Sequence, residues 1–371
     1  MKPSLTRRDF LYQCSASLIA ARMGMGRPAA GLAAATEYQR GGMVYRRLGQ
    51  TDLYPSLLAF GSHTDPSDRL PAGSAGTVLT ATGQARRDRI IAHAFDLGVN
   101  LLDVYADQGQ WEPAARLVRD RREKVLVSLA HVISPTKIDE ACRLFRYVDL
   151  YRFATSDIDG KTLQDWDVLR KSKEAGKIRA IGIATHDERT LLEALTKLEG
   201  LDYLFFPYNF IQARAGYSKF LPEAQRRGVG LNAIKPLASG CIMKLDPLAR
   251  PGAKPEGDYM GLGNILGLQA NNKPVLGAAV AELTQILGRL PDETLCMAAM
   301  RFVYSRDFLS AAVTGMFEER LLEDNYKALA NYQQMSREEQ AALEAARQVA
   351  RLLNKAWLPA HYRWLEEQWG A

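Results

Sequence analysis

Short apolar runs alternate with helix-patterned segments through most of the chain. Leu57-Leu58-Ala59-Phe60-Gly61 is the first run and Gly98-Val99-Asn100-Leu101-Leu102 the second. Further runs at 125–129, 148–153, 178–184, 203–209, 230–237 and 309–314 are also strand-length and almost wholly apolar. That is the pattern of strands buried on both faces. Between them, helical segments are predicted at 86–97, 135–145, 161–175, 188–198, 222–227, 274–290, 291–304 and 318–329, with Pro291 suited to a first turn. Strict alternation of this kind predicts a parallel sheet with its helices outside. About eight such units over roughly 290 residues predict a closed barrel rather than an open sheet. Ahead of the barrel, Gly49-Gln50-Thr51-Asp52 supplies turn chemistry for a hairpin over 43–53. Behind it, 336–353 reads as a helix opened by a Ser336/Glu339 capping box. The expected fold is therefore a (β/α)8 TIM barrel with an N-terminal β-hairpin and a C-terminal helical extension.

Two long segments rich in Gly, Ser, Thr and Pro, 62–84 and 239–273, interrupt the alternation. Both follow strands, where a barrel's working loops lie. Trp357, Tyr362, Trp364 and Trp369 crowd the C-terminus. They either pack the last helix onto the barrel or contact a partner or a membrane surface.

Composition changes this picture little. The 371 residues are 47% hydrophobic and 24% charged, as in a soluble globular protein. The formal charge of +6 is mostly a property of the first 35 residues, where Lys2, Arg7, Arg8, Arg22 and Arg27 face only Asp9. The remainder is close to neutral and makes no case for nucleic acid. Cys14, Cys142, Cys241 and Cys296 form no Cys-x-x-Cys pair, so no metal site is expected from them. Once the leader is removed their number is odd, which leaves at least one thiol free.

The leader does change the picture. Ser4-Leu5-Thr6-Arg7-Arg8-Asp9-Phe10-Leu11 matches the twin-arginine export pattern, a weakly apolar stretch at 15–25 follows, and Ala33-Ala34-Ala35 offers a cleavage site. The apolar stretch is too short and too interrupted for a transmembrane span. The expected organisation is a signal peptide over 1–35, a linker over 36–42, the barrel over 43–333, and a helix with an aromatic tail over 334–371. Export to the periplasm, or another extracytoplasmic space, follows, with the twin-arginine translocase as a transient partner.

Candidate chemistry centres on Asp103, which ends the second run and is followed by Val104-Tyr105-Ala106-Asp107-Gln108-Gly109. A carboxylate at the C-terminal end of a barrel strand sits where such folds carry their active groups. The chain around it resembles the aldo-keto reductase superfamily. The resemblance runs through Tyr45-Arg46-Arg47-Leu48-Gly49-Gln50-Thr51-Asp52-Leu53, Gly98 to Asp103, Asp149-Leu150-Tyr151, and Gly176-Lys177-Ile178-Arg179-Ala180-Ile181-Gly182. Tyr208-Asn209, Lys235-Pro236-Leu237 and the Gly315 to Asn325 loop continue it in order. Members reduce carbonyls with a nicotinamide cofactor. A Tyr serves as acid, a Lys paired to an Asp lowers its pKa, and a His orients the substrate.

Laid on this chain, the resemblance implies Asp103 for the Asp. It puts Gln108, Ala130 and Ala154 where the Tyr, Lys and His would stand. Asp103 then has no evident cation to hold. Tyr105 and His131 are the replacement candidates that could join Asp103, although strand alternation sends neighbouring side chains to opposite faces. His63, on the first loop, either faces the mouth or is solvated. For a cofactor the resemblance implies Thr185, Tyr208, Lys235, Pro236, Leu237, Gly315, Asp324 and Asn325. It leaves NAD(P) open, with NADP disfavoured because Gly315, Met316 and Leu321 replace its phosphate-binding residues and Glu318 and Glu319 add negative charge. Two readings follow. One is an NAD(P)-dependent oxidoreductase of carbonyls or alcohols with an altered mechanism. The other is a non-catalytic barrel that binds a small molecule at its mouth, or a partner protein.

Overall fold

The computed structural model describes residues 36–70, 78–105, 108–211, 219–238, 242, 245, 273–290 and 295–353. The leader, the expected cleavage site, most of 239–273 and the Trp-rich tail lie outside them.

Eight parallel strands close into a barrel. They are β3 (Leu58–Phe60), β4 (Leu101–Tyr105), β5 (Leu126–Ala130), β6 (Val148–Ala154), β7 (Ile178–Ala184), β8 (Tyr203–Pro207), β9 (Gly230–Ile234) and β10 (Ala311–Thr314), and β10 pairs with both β9 and β3. The intervening helices are α1 (Ala81–Asp96), α2 (Gln108–Val118), α3 (Pro135–Phe145), α4 (Gly160–Glu174), α5 (Glu188–Lys197), α6 (Phe220–Arg226), α7 (Lys273–Leu287), α8 (Leu295–Tyr304) and α9 (Glu319–Lys327). The strands sort their side chains by parity. Leu101, Leu150, Ala180, Tyr203, Phe205 and Ala311 fill the barrel, whereas Leu102, Val104, Val127, Tyr151, Ile181 and Leu231 face the helices.

The hairpin sits one turn earlier than the sequence suggests. Residues 36–42, expected as a linker, contain β1 (Glu37–Arg40), which pairs with β2 (Met43–Arg46). Gly41 and Gly42 have φ of 58° and 85°. Positive φ at both positions is what a two-residue turn needs between twisted strands, and glycine adopts it without a Cβ penalty. The Gly49-Gln50-Thr51-Asp52 turn is also real, with Leu48 N–H donating to Leu53 O at 2.8 Å. It carries Leu48 and Leu53 into the inner cluster, so this segment plugs the N-terminal end of the barrel.

Helix α1 starts five residues before the predicted 86. Thr80 caps it by accepting from Gly83 N–H at 3.1 Å, a signal hidden in a Thr/Gly-rich stretch that resembles a loop. Strand β9 ends at Ile234, short of the predicted 237, because Lys235 turns to φ 55° and breaks the ladder.

The C-terminal helix α10 (Arg337–Leu353) packs on α7 and α8. Its capping box is formed as expected, with Ser336 N–H on Glu339 Oε2 at 2.6 Å and Glu339 N–H on Ser336 Oγ at 3.0 Å. Glu339 also holds Arg301 of α8 in a buried ion pair. Cys142 is a free thiol. Among the described residues no helix is long and apolar enough to cross a membrane, and no cluster of metal-ligating side chains occurs.

Candidate functional site

The C-terminal ends of the strands form the mouth, and Asp103 lies just beneath it. Its parity on β4 matches Leu101, so the side chain points into the barrel, where it is only 3% exposed. The expectation that Asp103 lacks a cation is overturned. Arg152 of β6 grips it from across β5, Nη1 to Oδ1 at 2.7 Å and Nη2 to Oδ2 at 2.9 Å. Ser128 of β5 completes a triangle. Its Oγ donates to Asp103 Oδ1 at 2.7 Å and accepts from Arg152 Nη1 at 2.7 Å. A two-pronged guanidinium–carboxylate pair is the strongest form of such a contact, and here it is shut away from water. Ala130, small and buried, leaves the space through which Arg152 reaches.

Aromatic groups line this pair. The Arg152 guanidinium carbon stands 3.9 Å from the Phe205 ring centroid, a cation–π contact in a dry site. Tyr203 lies beside it. A Cβ on Gly182 would come 2.4 Å from Tyr203 O and 2.7 Å from its ring, so only glycine on β7 admits the Tyr203 ring into the barrel. Burial drives the Tyr203 phenol well above its ordinary range, and the nearby Arg152 charge only partly opposes this. Tyr203 therefore stays protonated at every physiological pH. On the next strand, level with Phe205, both side-chain amide atoms of Asn232 on β9 are buried without a hydrogen-bond partner.

A second group sits on the loops of the mouth. His63 follows β3, His186 follows β7 and Lys235 follows β9. Lys235 Nζ lies 2.8 Å from His186 Nε2. The Lys235 backbone is fixed in its left-handed conformation by Asn209, whose Nδ2 donates to Lys235 O at 3.1 Å, and by Ala238 N–H on the same carbonyl at 2.9 Å. Burial lowers the Lys235 ammonium from the usual lysine value to about 7.

The His63 loop is stapled by Arg87, whose Nη1 and Nη2 donate to His63 O at 3.1 Å and Ser62 O at 3.2 Å. Gly61 N–H on Thr314 O at 2.7 Å ties it to the end of β10. Burial first, then the charges of Lys235 and Arg69, push the His63 imidazole down to about 4; Asp103 pulls it up and Arg87 down. His63 still reaches solvent. The protein surrounds it as the wall of an open mouth does. It is neutral at pH 7, and it stands within electrostatic reach of three cations and of Asp103.

The other residues singled out in the sequence are dispersed. The backbone of Tyr105 pairs with Ala130 and Gln108 opens α2, but both side chains lie outside the described residues. The ring of His131 packs edge-on against Trp111 of α2, centroids 5.3 Å apart, and the hydrogen bonds of Asp103 go to Ser128 and Arg152 rather than to it. Ala154 is exposed at the end of β6. Thr185 is buried, its Oγ1 accepting from Asp187 N–H at 3.3 Å. Tyr208 turns outward and packs against Phe302 of α8 and against Phe308. Pro236 and Leu237 are buried in the turn after Lys235.

Gly315 sits beside His63, whose Cβ is 3.4 Å from where a Cβ on the glycine would fall. Asp324 pairs with Arg320 at 3.4 Å. Asn325 is buried on α9 with Nδ2 lacking a hydrogen-bond partner. Glu318 is exposed ahead of α9, and Glu319 is engaged by His93.

Sequence reasoning missed Arg152, Ser128, Tyr203 and His186. The available signal for Arg152 was a lone charge inside the apolar run Leu150-Tyr151-Arg152-Phe153, at a position whose parity faces the barrel. The sequence offered no comparable mark for the other three.

Away from the mouth, a hollow of about 600 Å³ opens between the C-terminal ends of α2 and α3, lined by Arg116, Arg119, Arg122, Arg143 and Arg146 among others. Arginines there face the negative ends of two helix dipoles, and that accounts for them.

Comparison with known proteins agrees with the architecture. The aldo/keto reductase family model matches residues 73–348. A probable voltage-gated potassium channel subunit beta of Arabidopsis thaliana is 24% identical over 318 residues, covering 77% of this chain and 91% of that protein. An aldo-keto reductase from Bacillus halodurans, in its holo form, superposes with a TM-score of 0.59 at 19% identity, over 81% of this chain and 95% of that one. A putative aldo-keto reductase from Pseudomonas aeruginosa gives 0.53 at 18%, over 78% and 95%.

Proposed function

Because this chain belongs to the aldo/keto reductase family, we propose that it is an exported oxidoreductase that binds a nicotinamide nucleotide and a small carbonyl or alcohol compound at the barrel mouth. Its proton-handling groups are then Lys235 and His186, in place of the side chains lost at Gln108, Ala130 and Ala154. The 2.8 Å contact between Lys235 Nζ and His186 Nε2 at the C-terminal mouth carries this reading. A lysine lowered to about 7 by burial, with an imidazole in contact, can pass a proton to or from a substrate oxygen.

The residues present suit a dinucleotide in charge. Lys235, Arg69 and Arg87 gather around His63, and a pyrophosphate would meet them there. The buried, unpartnered Nδ2 of Asn325 is a donor still to be satisfied on α9. Glu318 and Glu319 on the same loop oppose a 2′-phosphate, which favours NAD over NADP. When bound, the nicotinamide would supply or accept the hydride. The chain's own part would be to hold the carbonyl oxygen near Lys235 and His186, to keep the Asp103–Arg152 pair beneath them dry, and to exclude water with the loop stapled by Arg87.

A different observation favours a second reading, a barrel that binds without reacting. Both carboxylate oxygens of Asp103 are committed to Arg152, so the family's own catalytic position is closed. Purification from both cytoplasm and periplasm, denaturation, and an absorbance scan for released nucleotide separate the two. The oxidoreductase reading expects nucleotide in the cytoplasmic form, and quenching of protein fluorescence on adding NADH that exceeds that with NADPH. No release and no quenching with either would leave only the second reading.

Export rests on Arg7 and Arg8. Replacing both with Lys is expected to leave unprocessed precursor in the cytoplasm, seen as a band larger by the leader. Continued appearance of the shorter form in the periplasm would contradict the route.

A further inference from the structure

We propose that Lys235 is a nucleophile that captures small carbonyl compounds bearing an anionic group as a covalent imine at the barrel mouth. The inference rests on the reading that the mouth admits a carbonyl compound. It needs no nucleotide.

Three features of the geometry carry it. Lys235 ends a barrel strand, half-buried, on a backbone that Asn209 and Ala238 hold in place. Its stem is therefore short of freedom, and the amine is delivered to one spot. Next, Nζ is 2.8 Å from His186 Nε2. An imidazole at that distance can take the proton from the adding amine and return it to the departing oxygen. Finally, the surroundings are cationic. Arg69 and Arg87 act electrostatically on the neutral His63 at the same mouth, and Asp103, the carboxylate that also acts on it among the described residues, is already neutralised by Arg152. A substrate carboxylate or phosphate finds complementary charge there. A neutral carbonyl compound gains nothing from it.

Burial supports the chemistry. An amine lowered to about 7 is half in its free-base form at neutral pH. A solvated lysine near 10.4 is free base in only about one molecule in several thousand. A desolvated lysine of this kind is the form that adds to carbonyls.

The step balances without an oxidant or reductant. The Nζ lone pair attacks the carbonyl carbon and the C=O π pair moves to oxygen. The two nitrogen protons pass in turn through His186 to that oxygen, the first giving the carbinolamine and the second letting the oxygen leave as water when the C=N bond forms. The products are the imine and one water.

The test uses glyoxylate as the anionic aldehyde, propionaldehyde as the neutral one, and cyanoborohydride to fix any imine as a secondary amine. Adducts are located by peptide mass. At pH 7, glyoxylate with wild-type protein is expected to place the carboxymethyl group on Lys235 at least about tenfold faster than on the other lysines. The rate should reach half its plateau near pH 7. Among the described residues, the groups near this amine are His186, His63, Arg69, Arg87 and Asp103, and His63, held down to about 4, is already neutral around pH 7.

Lys235→Met should lose the fast adduct. His186→Gln, which keeps the amine, should slow it several-fold and guards against a misfolded Lys235→Met. Adducts spread evenly over the lysines, with the pH dependence of a solvated amine, would overturn the proposal. Equal rates with propionaldehyde would overturn the anionic substrate class. The nucleotide experiment is independent of this one. Trapping without nucleotide binding would leave Lys235 a nucleophile on a barrel that is not a nicotinamide oxidoreductase. Nucleotide binding without trapping would do the reverse.

Discussion

Arg152→Met is expected to destabilise the barrel by about 3–5 kcal/mol, the cost of stranding a buried carboxylate. The magnitude follows from where the pair lies. Asp103 and Arg152 are both almost fully buried, and the two bonds between them are 2.7 and 2.9 Å long. Removing the cation leaves Asp103 with Ser128 Oγ as its remaining side-chain donor. The charge cannot reach water, so the folded state either holds it at high cost or takes up a proton. The double variant Asp103→Leu/Arg152→Met should recover most of the loss, because a buried ion pair replaced whole by apolar groups is close to neutral or stabilising. Urea midpoints at constant slope measure both. A single variant within about 1 kcal/mol of wild type would mean that the pair is hydrated and open, and the mouth would have to be redrawn. If the single variant is strongly destabilised and the double variant is not, each charge is needed only to neutralise the other, and the pair adds little net stability to the barrel.

Arg122→Met should cost about 3–4 kcal/mol by the same logic at the opposite end of the barrel. Arg122 donates to Phe145 O at 2.8 Å, Val125 O at 2.8 Å and Tyr147 O at 2.7 Å. It also pairs with Asp149 Oδ2 at 2.7 Å, both side chains being buried. Asp149 in turn accepts from Val127 N–H and from Arg179. Loss of Arg122 orphans three carbonyls and takes one of two cations from Asp149. Arg179 remains, but it is about a third exposed and partly screened, so it offsets only a fraction. The difference from Arg152→Met lies in function. Glyoxylate trapping at Lys235 should persist in the folded fraction of Arg122→Met, since nothing at the mouth has changed. Trapping lost in step with a small change in stability would tie the two ends of the barrel together, which the contacts do not.

These two arginines show where sequence reasoning stops. Asp149-Leu150-Tyr151 is legible as a motif, yet its aspartate is a structural acceptor for β5 and for Arg122. The 22 residues that separate it from Val127 hide this. Asp103 is legible as the end of a buried strand. Its partner, 49 residues on, is not, because the lone charge in Leu150-Tyr151-Arg152-Phe153 marks an inward position by parity but does not say which carboxylate it reaches. The absence of a cation beside Asp103, expected from Ala130, does not hold, since Arg152, which pairs with Ala130 on the next strand, supplies one. Lys235 was noticed as part of a cofactor motif. What sets it apart is burial together with the contact to His186, which a linear reading passes over as an ordinary residue after a strand.

The sequence by itself determined the closed barrel, because near-continuous apolar runs alternating with helical ones can bury themselves in few other ways. It determined the capped terminal helix, whose signal is the Ser336/Glu339 pair, and the place of Asp103 at the end of a buried strand. Tertiary structure alone decided what Asp103 is bonded to, why Gly182 must be glycine for Tyr203 to fit, and that Lys235, His186 and His63 meet. Those facts depend on strands that are neighbours in space but tens of residues apart in the chain. A side chain's charge state and reactivity follow from the groups brought against it, and folding is what brings them together.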